Sequence, residues 1–364
     1  MRLGVFLPNW VGDVVMATPA VRALRKLVGD DGTLVGIMRP YVADVLAGTD
    51  WLDETVVYSK RARKGRSSGQ SNAGAPPPAP TVYEQLRAAR LDAVVLLTNS
   101  LRTGWMAWRS GARERIGMVG NLRTPLLTTK VYPPRKGRRA APLPTIDGYL
   151  QVAQAAGAAP EPPTMELATT PEDEAAADAV WRRLGITDER GVAVINTGGA
   201  FGAAKDWPPT QFGQLARRLA VEQELDVVFN CGPAERLAVR AIAEAVGHPR
   251  VHSLAEERQL PLGLTKAVVR RSALLVTTDS GPRYFGVAFG VPTVTLFGPT
   301  NPRLVPTYSS YETVVSLGLE CQPCMERSCP LVHHRCMRDL TVDRVYAAAE
   351  AALASAGAGQ MRVA

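Results

Sequence analysis

Four turns hold the residues able to do chemistry, and each follows a short apolar run. The first is Pro8-Asn9-Trp10-Val11-Gly12-Asp13. Its Asp13 offers a carboxylate that can accept a proton or cap the helix that follows. The second is Thr197-Gly198-Gly199-Ala200-Phe201-Gly202-Ala203-Ala204-Lys205-Asp206-Trp207-Pro208. Its small residues let backbone N–H groups approach an anion, and Lys205 adds a compact cation. The third, Cys231-Gly232-Pro233-Ala234-Glu235, carries a glutamate suited equally to capping a helix and to holding a ribose diol. The fourth, Asp279-Ser280-Gly281-Pro282, joins an N-cap candidate to a flexible glycine and a proline fit for the first helical turn. A helix starting there points free N–H groups and a positive dipole end at whatever lies above the strand. That arrangement suits a phosphate, although the same residues are common in plain strand–helix turns. Gly298-Pro299-Thr300 forms a further turn at the same edge. The chemistry on offer is proton transfer beside bound phosphate. None of these turns reads GxGxxG, so the dinucleotide fingerprint is missing.

Three further groups are less specific. Asn99 and Ser100 follow the carboxyl end of an expected strand, and Arg115 to Arg123 form a glycine-punctuated segment. That segment's cations suit a surface turn or a clamp for an anionic ligand. Four of the five cysteines, Cys321, Cys324, Cys329 and Cys336, crowd into one stretch with His333 and His334. Without a signal peptide, such a CxxC-containing group points to metal ahead of disulfides. Thiolates suit a structural zinc or iron–sulfur cluster, but the second spacing matches no common zinc signature, so unligated thiols remain open.

The elements that position these groups alternate strand and helix. Strands are expected at 3–7, 33–38, 55–58, 93–97, 192–196, 227–230, 273–278 and 291–297. Helices are expected at 14–27, 42–47, 82–90, 102–108, 146–156, 172–184 and 209–222. Short runs rich in Val, Leu and Ile read as parallel strands buried on both faces. The pattern predicts an α/β protein of two doubly wound, Rossmann-like domains facing a central cleft. The first spans 1–165, the second 166–345, and 346–364 form a C-terminal helix and tail, with a proline-rich linker at 158–171. Residues 61–81, rich in Arg, Lys, Ser and Gly with a Pro-Pro-Pro run, read as a disordered loop within the first domain.

A chain of 364 residues is long enough for two such cores, and 46% hydrophobic with 21% charged residues is ordinary for a globular protein. No apolar run approaches the roughly 20 residues that cross a bilayer. The start of the chain carries Asn9, Trp10 and Asp13 and reads as a strand, so the expected location is cytoplasmic. The net charge of +8 is partly concentrated in Lys60, Arg61, Arg63, Lys64 and Arg66, and in Arg135, Lys136, Arg138 and Arg139. No aromatic residues interleave them, which argues against nucleic acid and for an anionic substrate or a membrane surface.

Taken in order, Pro8 to Asp13, Asn99-Ser100, Gly198 to Trp207 with Lys205, Asp279-Ser280-Gly281 and Phe297-Gly298-Pro299 resemble the ADP-heptose:lipopolysaccharide heptosyltransferase family. The resemblance implies a GT-B fold and an inverting glycosyl transfer that uses no catalytic metal. The donor would be ADP-heptose, and the acceptor the inner-core heptose of a lipid-anchored oligosaccharide at the inner face of the cytoplasmic membrane. Asp13 would be the general base and Lys205 a second catalytic group. Gly198, Gly199, Lys205, Gly232, Glu235, Asp279, Ser280, Gly281, Pro282 and Arg283 would face the donor. Asn9, Trp10, Gly12, Asn99, Ser100 and Arg123 would face the acceptor. One departure stands out: relatives usually read Asp-Ser/Thr-Gly-x-x-His, whereas this chain has Tyr284 in the place of the histidine. Alternatives are a transferase for another nucleotide sugar or acceptor, or an enzyme like the nucleotide-sugar 2-epimerases, for which no His/Glu constellation is found.

Overall fold

The computed structural model describes residues 1–59, 80–137, 139–187, 189–199 and 201–360. Most of the segment expected to be a disordered loop therefore lies outside the described residues. Its last residue, Thr81, caps the next helix with a reciprocal Thr81–Glu84 capping box.

Two six-stranded sheets organise the chain. The first contains β1 (Arg2–Phe6), β2 (Thr33–Met38), β3 (Glu54–Val57), β4 (Ala93–Leu96), β5 (Glu114–Met118) and β6 (Thr129–Val131). A short antiparallel pair, β7 (Arg135–Lys136) and β8 (Arg139–Ala140), follows. The second sheet contains β9 (Val192–Asn196), β10 (Asp226–Asn230), β11 (Val251–Ser253), β12 (Leu274–Thr278), β13 (Thr293–Leu296) and β14 (Glu312–Val315). Their spatial orders are β3-β2-β1-β4-β5-β6 and β11-β10-β9-β12-β13-β14. Every neighbouring pair in both is parallel. The two sheets thus repeat one doubly wound order. The central strands β9, β10 and β12 are buried along their whole length, as expected of strands covered on both faces by helices.

The helices are α1 (Val11–Met16), α2 (Thr18–Val28), α3 (Val82–Ala88), α4 (Leu101–Arg109), α5 (Thr145–Ala155), α6 (Pro171–Leu184), α7 (Pro209–Glu222), α8 (Arg236–Val246), α9 (Leu262–Arg270), α10 (Gly281–Ala288), α11 (Arg335–Arg338) and α12 (Val342–Gln360). The expected helix at 42–47 is a 3-10 turn, Pro40–Val45. The last helix starts at Val342 and packs on α7, β13 and β14. The Trp207 indole, which donates to the Leu340 carbonyl, ties the chain leading into it to the second sheet.

Doubly wound sheets bind ligands where the strand order reverses, beyond the carboxyl ends of the strands. Here those points lie between β1 and β4 and between β9 and β12. The turns singled out in the sequence leave these four strands: Pro8–Asp13 after β1, Asn99-Ser100 after β4, Thr197–Lys205 after β9 and Asp279–Pro282 after β12.

The two halves are also fastened to each other. Lys266 on α9 is fully buried, and its ammonium donates to the carbonyls of Ala47 and Ala168 at 2.8 and 2.9 Å. From α5, Thr145 donates to the Leu304 carbonyl, and Asp147 accepts from the Tyr308 hydroxyl. On the connecting segment, Glu161 pairs with Arg22 and Lys26 of α2.

Candidate active site

The first turns of α1 and α10 meet at two glycines. A Cβ on Gly12 would lie 2.7 Å from the Tyr284 ring, and one on Gly281 would lie 3.2 Å from Val11 Cγ1. Only residues without a side chain let these two helix starts approach so closely. The contact sets Asp13, in the first turn of α1, near Asp279 at the end of β12. The N-cap of α1 is Trp10, so Asp13 is not the capping residue. Its carboxylate instead accepts from the Tyr149 hydroxyl of α5 at 3.3 Å.

Burial pushes the Asp13 pKa from 3.8 up to about 6; the Tyr149 hydrogen bond opposes that rise and repulsion from Asp279 adds to it. Burial, helped by the Asp13 charge, holds the Tyr149 phenol neutral, well above its usual range. Tyr149 is therefore a fixed donor, and the Asp13 carboxyl changes charge near neutrality. Beside it, Trp10 is 55% exposed. Asn9 accepts from Arg39 through its side chain and from the Tyr41 hydroxyl through its carbonyl.

On the opposite side, Lys205 donates to Asp279 Oδ2 at 2.7 Å and to the Asp279 carbonyl, and Thr300 donates to the same oxygen at 2.8 Å. Burial works to raise the Asp279 pKa, but Lys205 and Arg283 outweigh it and keep the carboxyl below the usual range. The glycine turns pack against this pair. A Cβ on Gly199 would lie 3.0 Å from Ser280 Cβ, and one on Gly198 would strike the Glu235 carboxylate. Glu235 Oε2 accepts from the Gly232 backbone at 2.7 Å, so the helix-capping alternative is realised. Pro282 stands in the first turn of α10, whose N-cap Ser280 makes no side-chain capping bond and turns its hydroxyl to Asn196 and Thr277 instead.

Two expected ligand contacts are corrected. Arg283 is 1% exposed, and its guanidinium engages Glu312, Asp279, the Tyr284 hydroxyl and the Val305 carbonyl. It faces the interior and supports the site from behind. Arg123 is fully buried and donates to the Met118 and Thr98 carbonyls and to Asn99 Oδ1 at 2.8 Å. It orients Asn99 and cannot clamp a ligand at the surface. Asn99 itself is exposed, whereas Ser100 caps α4 by accepting from the Thr103 backbone.

Tyr149, Glu312 and Asn196 were not singled out in the sequence, and Thr300 only as part of a further turn. Asn196 donates to the Gly198 carbonyl and Ser280 Oγ, linking two phosphate-type turns, and accepts from Asn230. The only sequence signal was its place at the end of a buried strand.

Residues 81–334 match the family described as glycosyltransferase family 9 (heptosyltransferase). The chain belongs to glycosyltransferase family 9. Lipopolysaccharide heptosyltransferase 2 of Escherichia coli K12 is 24% identical over 359 residues, covering 95% of this chain and 96% of the relative. Lipooligosaccharide heptosyltransferase 2 of Campylobacter jejuni is 31% identical over 157 residues, and the match spans about half of that relative (48%) and 42% of this chain. Two solved structures share the fold across nearly the whole chain. E. coli ADP-heptose LPS heptosyltransferase II has a TM-score of 0.76 at 22% identity, covering 98% of this chain and 100% of that one. A Veillonella parvula family 9 protein has 0.77 at 24% identity, covering 97% of each. The fold is thus the expected GT-B arrangement.

The cysteine loop of this family 9 chain lies closer to the site than its sequence position suggested. Cys321, Cys324, Cys329 and Cys336 are all free. With His333 and His334 they line one cavity of about 20 Å³, roughly the room of a single water. The loop clasps the turns after β9 and β13: His334 Nε2 bonds the Ala204 carbonyl at 2.8 Å, Ala204 donates to the Arg327 carbonyl, and Met325 donates to the Pro299 carbonyl. Among the described residues, no group of three or more His, Cys, Asp or Glu is set to hold a metal ion.

Proposed function

We propose that this family 9 glycosyltransferase moves heptose from ADP-heptose to the inner-core heptose of a lipid-anchored lipopolysaccharide precursor. The observation that carries the reading is Asp13, with its pKa raised to about 6, at the junction of the two switch points and near Asp279. The relatives named as heptosyltransferase 2 support the donor and acceptor.

In this reading the acceptor hydroxyl gives its proton to Asp13 while its oxygen attacks the anomeric carbon. The bond from that carbon to ADP breaks, and ADP leaves with the electron pair, so a single displacement inverts the centre. Negative charge grows on the departing diphosphate, where fixed positive groups act most strongly. Lys205 and the open N-terminus of α10 supply them, which removes the need for a catalytic metal. Gly198, Gly199 and Gly232 allow close backbone approach, Asp279 contacts sugar hydroxyls, and Asn9, Trp10, Gly12, Asn99 and Ser100 line the acceptor side. Transfer takes place at the inner face of the cytoplasmic membrane. No described helix is long and apolar enough to cross a membrane. The cysteine loop, closing on a zinc or iron–sulfur centre, would stiffen both donor turns from behind. Elemental analysis of the purified chain tests this, and a metal-free chain with four titratable thiols there would exclude it.

The test of the reaction is ADP release from ADP-heptose with and without a truncated core acceptor. ADP is expected only when both are present, with a product heavier by one heptose. Silence with ADP-heptose, together with consumption of another nucleotide sugar, would overturn the donor.

A further inference from the structure

Helix α4 leaves the carboxyl end of β4 directly after Asn99-Ser100, on the acceptor side of the cleft. Thr103, Gly104, Met106 and Ala107 bury one side of it. Leu101, Trp105 and Trp108 recur at i, i+4 and i+7, so they share the other side, and they are 45%, 44% and 46% exposed. The two indoles lie 4.8 Å apart and present one continuous apolar surface.

Leu122 is a further exposed apolar side chain, in the turn that Asn121 ties to the Asn99 carbonyl just before the helix. Asn121 and Leu122 both adopt the left-handed backbone conformation, at φ +48° and +60°, an unfavourable choice for residues other than glycine. Buried Arg123 and the Asn121 side chain, which donates to the Asn99 carbonyl, hold them there. The result is a leucine 85% exposed. Arginines flank the stripe: Arg102 is exposed and donates to the Ser59 carbonyl, and Arg109 is half-buried beside the Tyr83 ring. The helix carries no acidic residue.

Exposed tryptophan and leucine flanked by arginine is the make-up of a helix that lies in a membrane interface, with rings at headgroup depth and guanidinium groups on phosphates. We propose that Leu101, Trp105, Trp108 and Leu122, with Arg102 and Arg109, dock this protein on an anionic phospholipid surface. The charge selects this occupant: a second copy of the same face would set arginine against arginine, whereas lipid phosphate neutralises both. Docking there brings the Asn99-Ser100 turn down to the bilayer, where a lipid-anchored acceptor presents its sugars. The inference rests on the proposed acceptor for its purpose, but lipid binding is measured without turnover.

The experiment is sedimentation of the full chain with vesicles of phosphatidylglycerol and phosphatidylethanolamine, against vesicles of phosphatidylcholine alone. The wild type should bind the anionic vesicles, less so as salt rises, and should ignore the neutral ones. The doubly substituted Trp105→Ala/Trp108→Ala chain should bind about tenfold more weakly, having lost most of the inserted apolar area. Its circular dichroism and thermal midpoint should match wild type, because both rings face outward. Its turnover should be unchanged with a water-soluble, lipid-free acceptor and reduced with a vesicle-borne one. Equal vesicle binding by the two proteins, or no binding by wild type, would overturn the inference. So would a wild-type dimer that the double substitution dissolves, which would assign the face to a second copy. A wild type that binds vesicles but turns over neither acceptor would count against the proposed reaction alone.

Discussion

In the proposed reaction Asp13 takes the acceptor proton, and its environment makes two predictions. As the base it works ionised, so turnover should fall about tenfold per pH unit below its pKa of about 6, readable in a rate profile from pH 5 to 8. The same raised value makes the ionised carboxyl a liability to the fold. The native state holds its proton more tightly than the unfolded chain, whose carboxyl titrates near 3.8. The penalty is absent well below pH 4, grows between the two values, and is complete above about 6, where it amounts to about 3 kcal/mol. Asp13→Asn should therefore raise the thermal midpoint at pH 8 and lose that advantage at pH 4, while losing activity at both. The positions of Asp13, Lys205 and Asp279 beyond the strand ends were legible because each stands in a small-residue turn after an apolar run. Arg123 and Arg283 were misjudged because sequence displays a charge and conceals its burial: Glu312, which neutralises Arg283 of α10, lies on strand β14. Tyr149 was invisible for a similar reason, as nothing in its own helix marks the carboxylate it meets.

Among the elements, α1 and α10 decide whether the two crevices face each other. Gly12→Ala drives a methyl into the Tyr284 ring. It should cost about 1–3 kcal/mol and lower kcat by moving Asp13, which stability curves and kinetics can separate. Behind α10, Arg283 and Glu312 form an ion pair exposed by only 1% and 4%. Arg283→Met strands the glutamate and should cost about 3–5 kcal/mol in urea unfolding, whereas Arg283→Met/Glu312→Met should recover much of that loss. The strands were readable because two-sided burial writes continuous apolar runs such as Val192–Asn196. Ends were harder. The last helix begins at Val342, earlier than composition alone suggested, and the short helix expected at 42–47 is a 3-10 turn at Pro40–Val45.

At the scale of the molecule, two copies of one strand order place four turns beyond the carboxyl ends of β1, β4, β9 and β12, so motifs scattered along the chain lie at matching switch points of the two sheets. The alternation of strands and helices made this architecture legible; the clasp of the cysteine loop on the turns after β9 and β13 was not, because it joins segments apart in sequence. ADP binding the cleft should stabilise the whole chain by about 2.7 kcal/mol at a concentration 100 times its Kd, seen as a rise in thermal midpoint. The most direct test of the account compares wild type with Asp13→Asn in ADP-heptose turnover, with ADP-heptose affinity measured separately by calorimetry. Donor affinity should be unchanged and kcat lower by about 100-fold or more in the variant. Equal kcat in the two proteins would remove Asp13 from the reaction and contradict its proposed role as base.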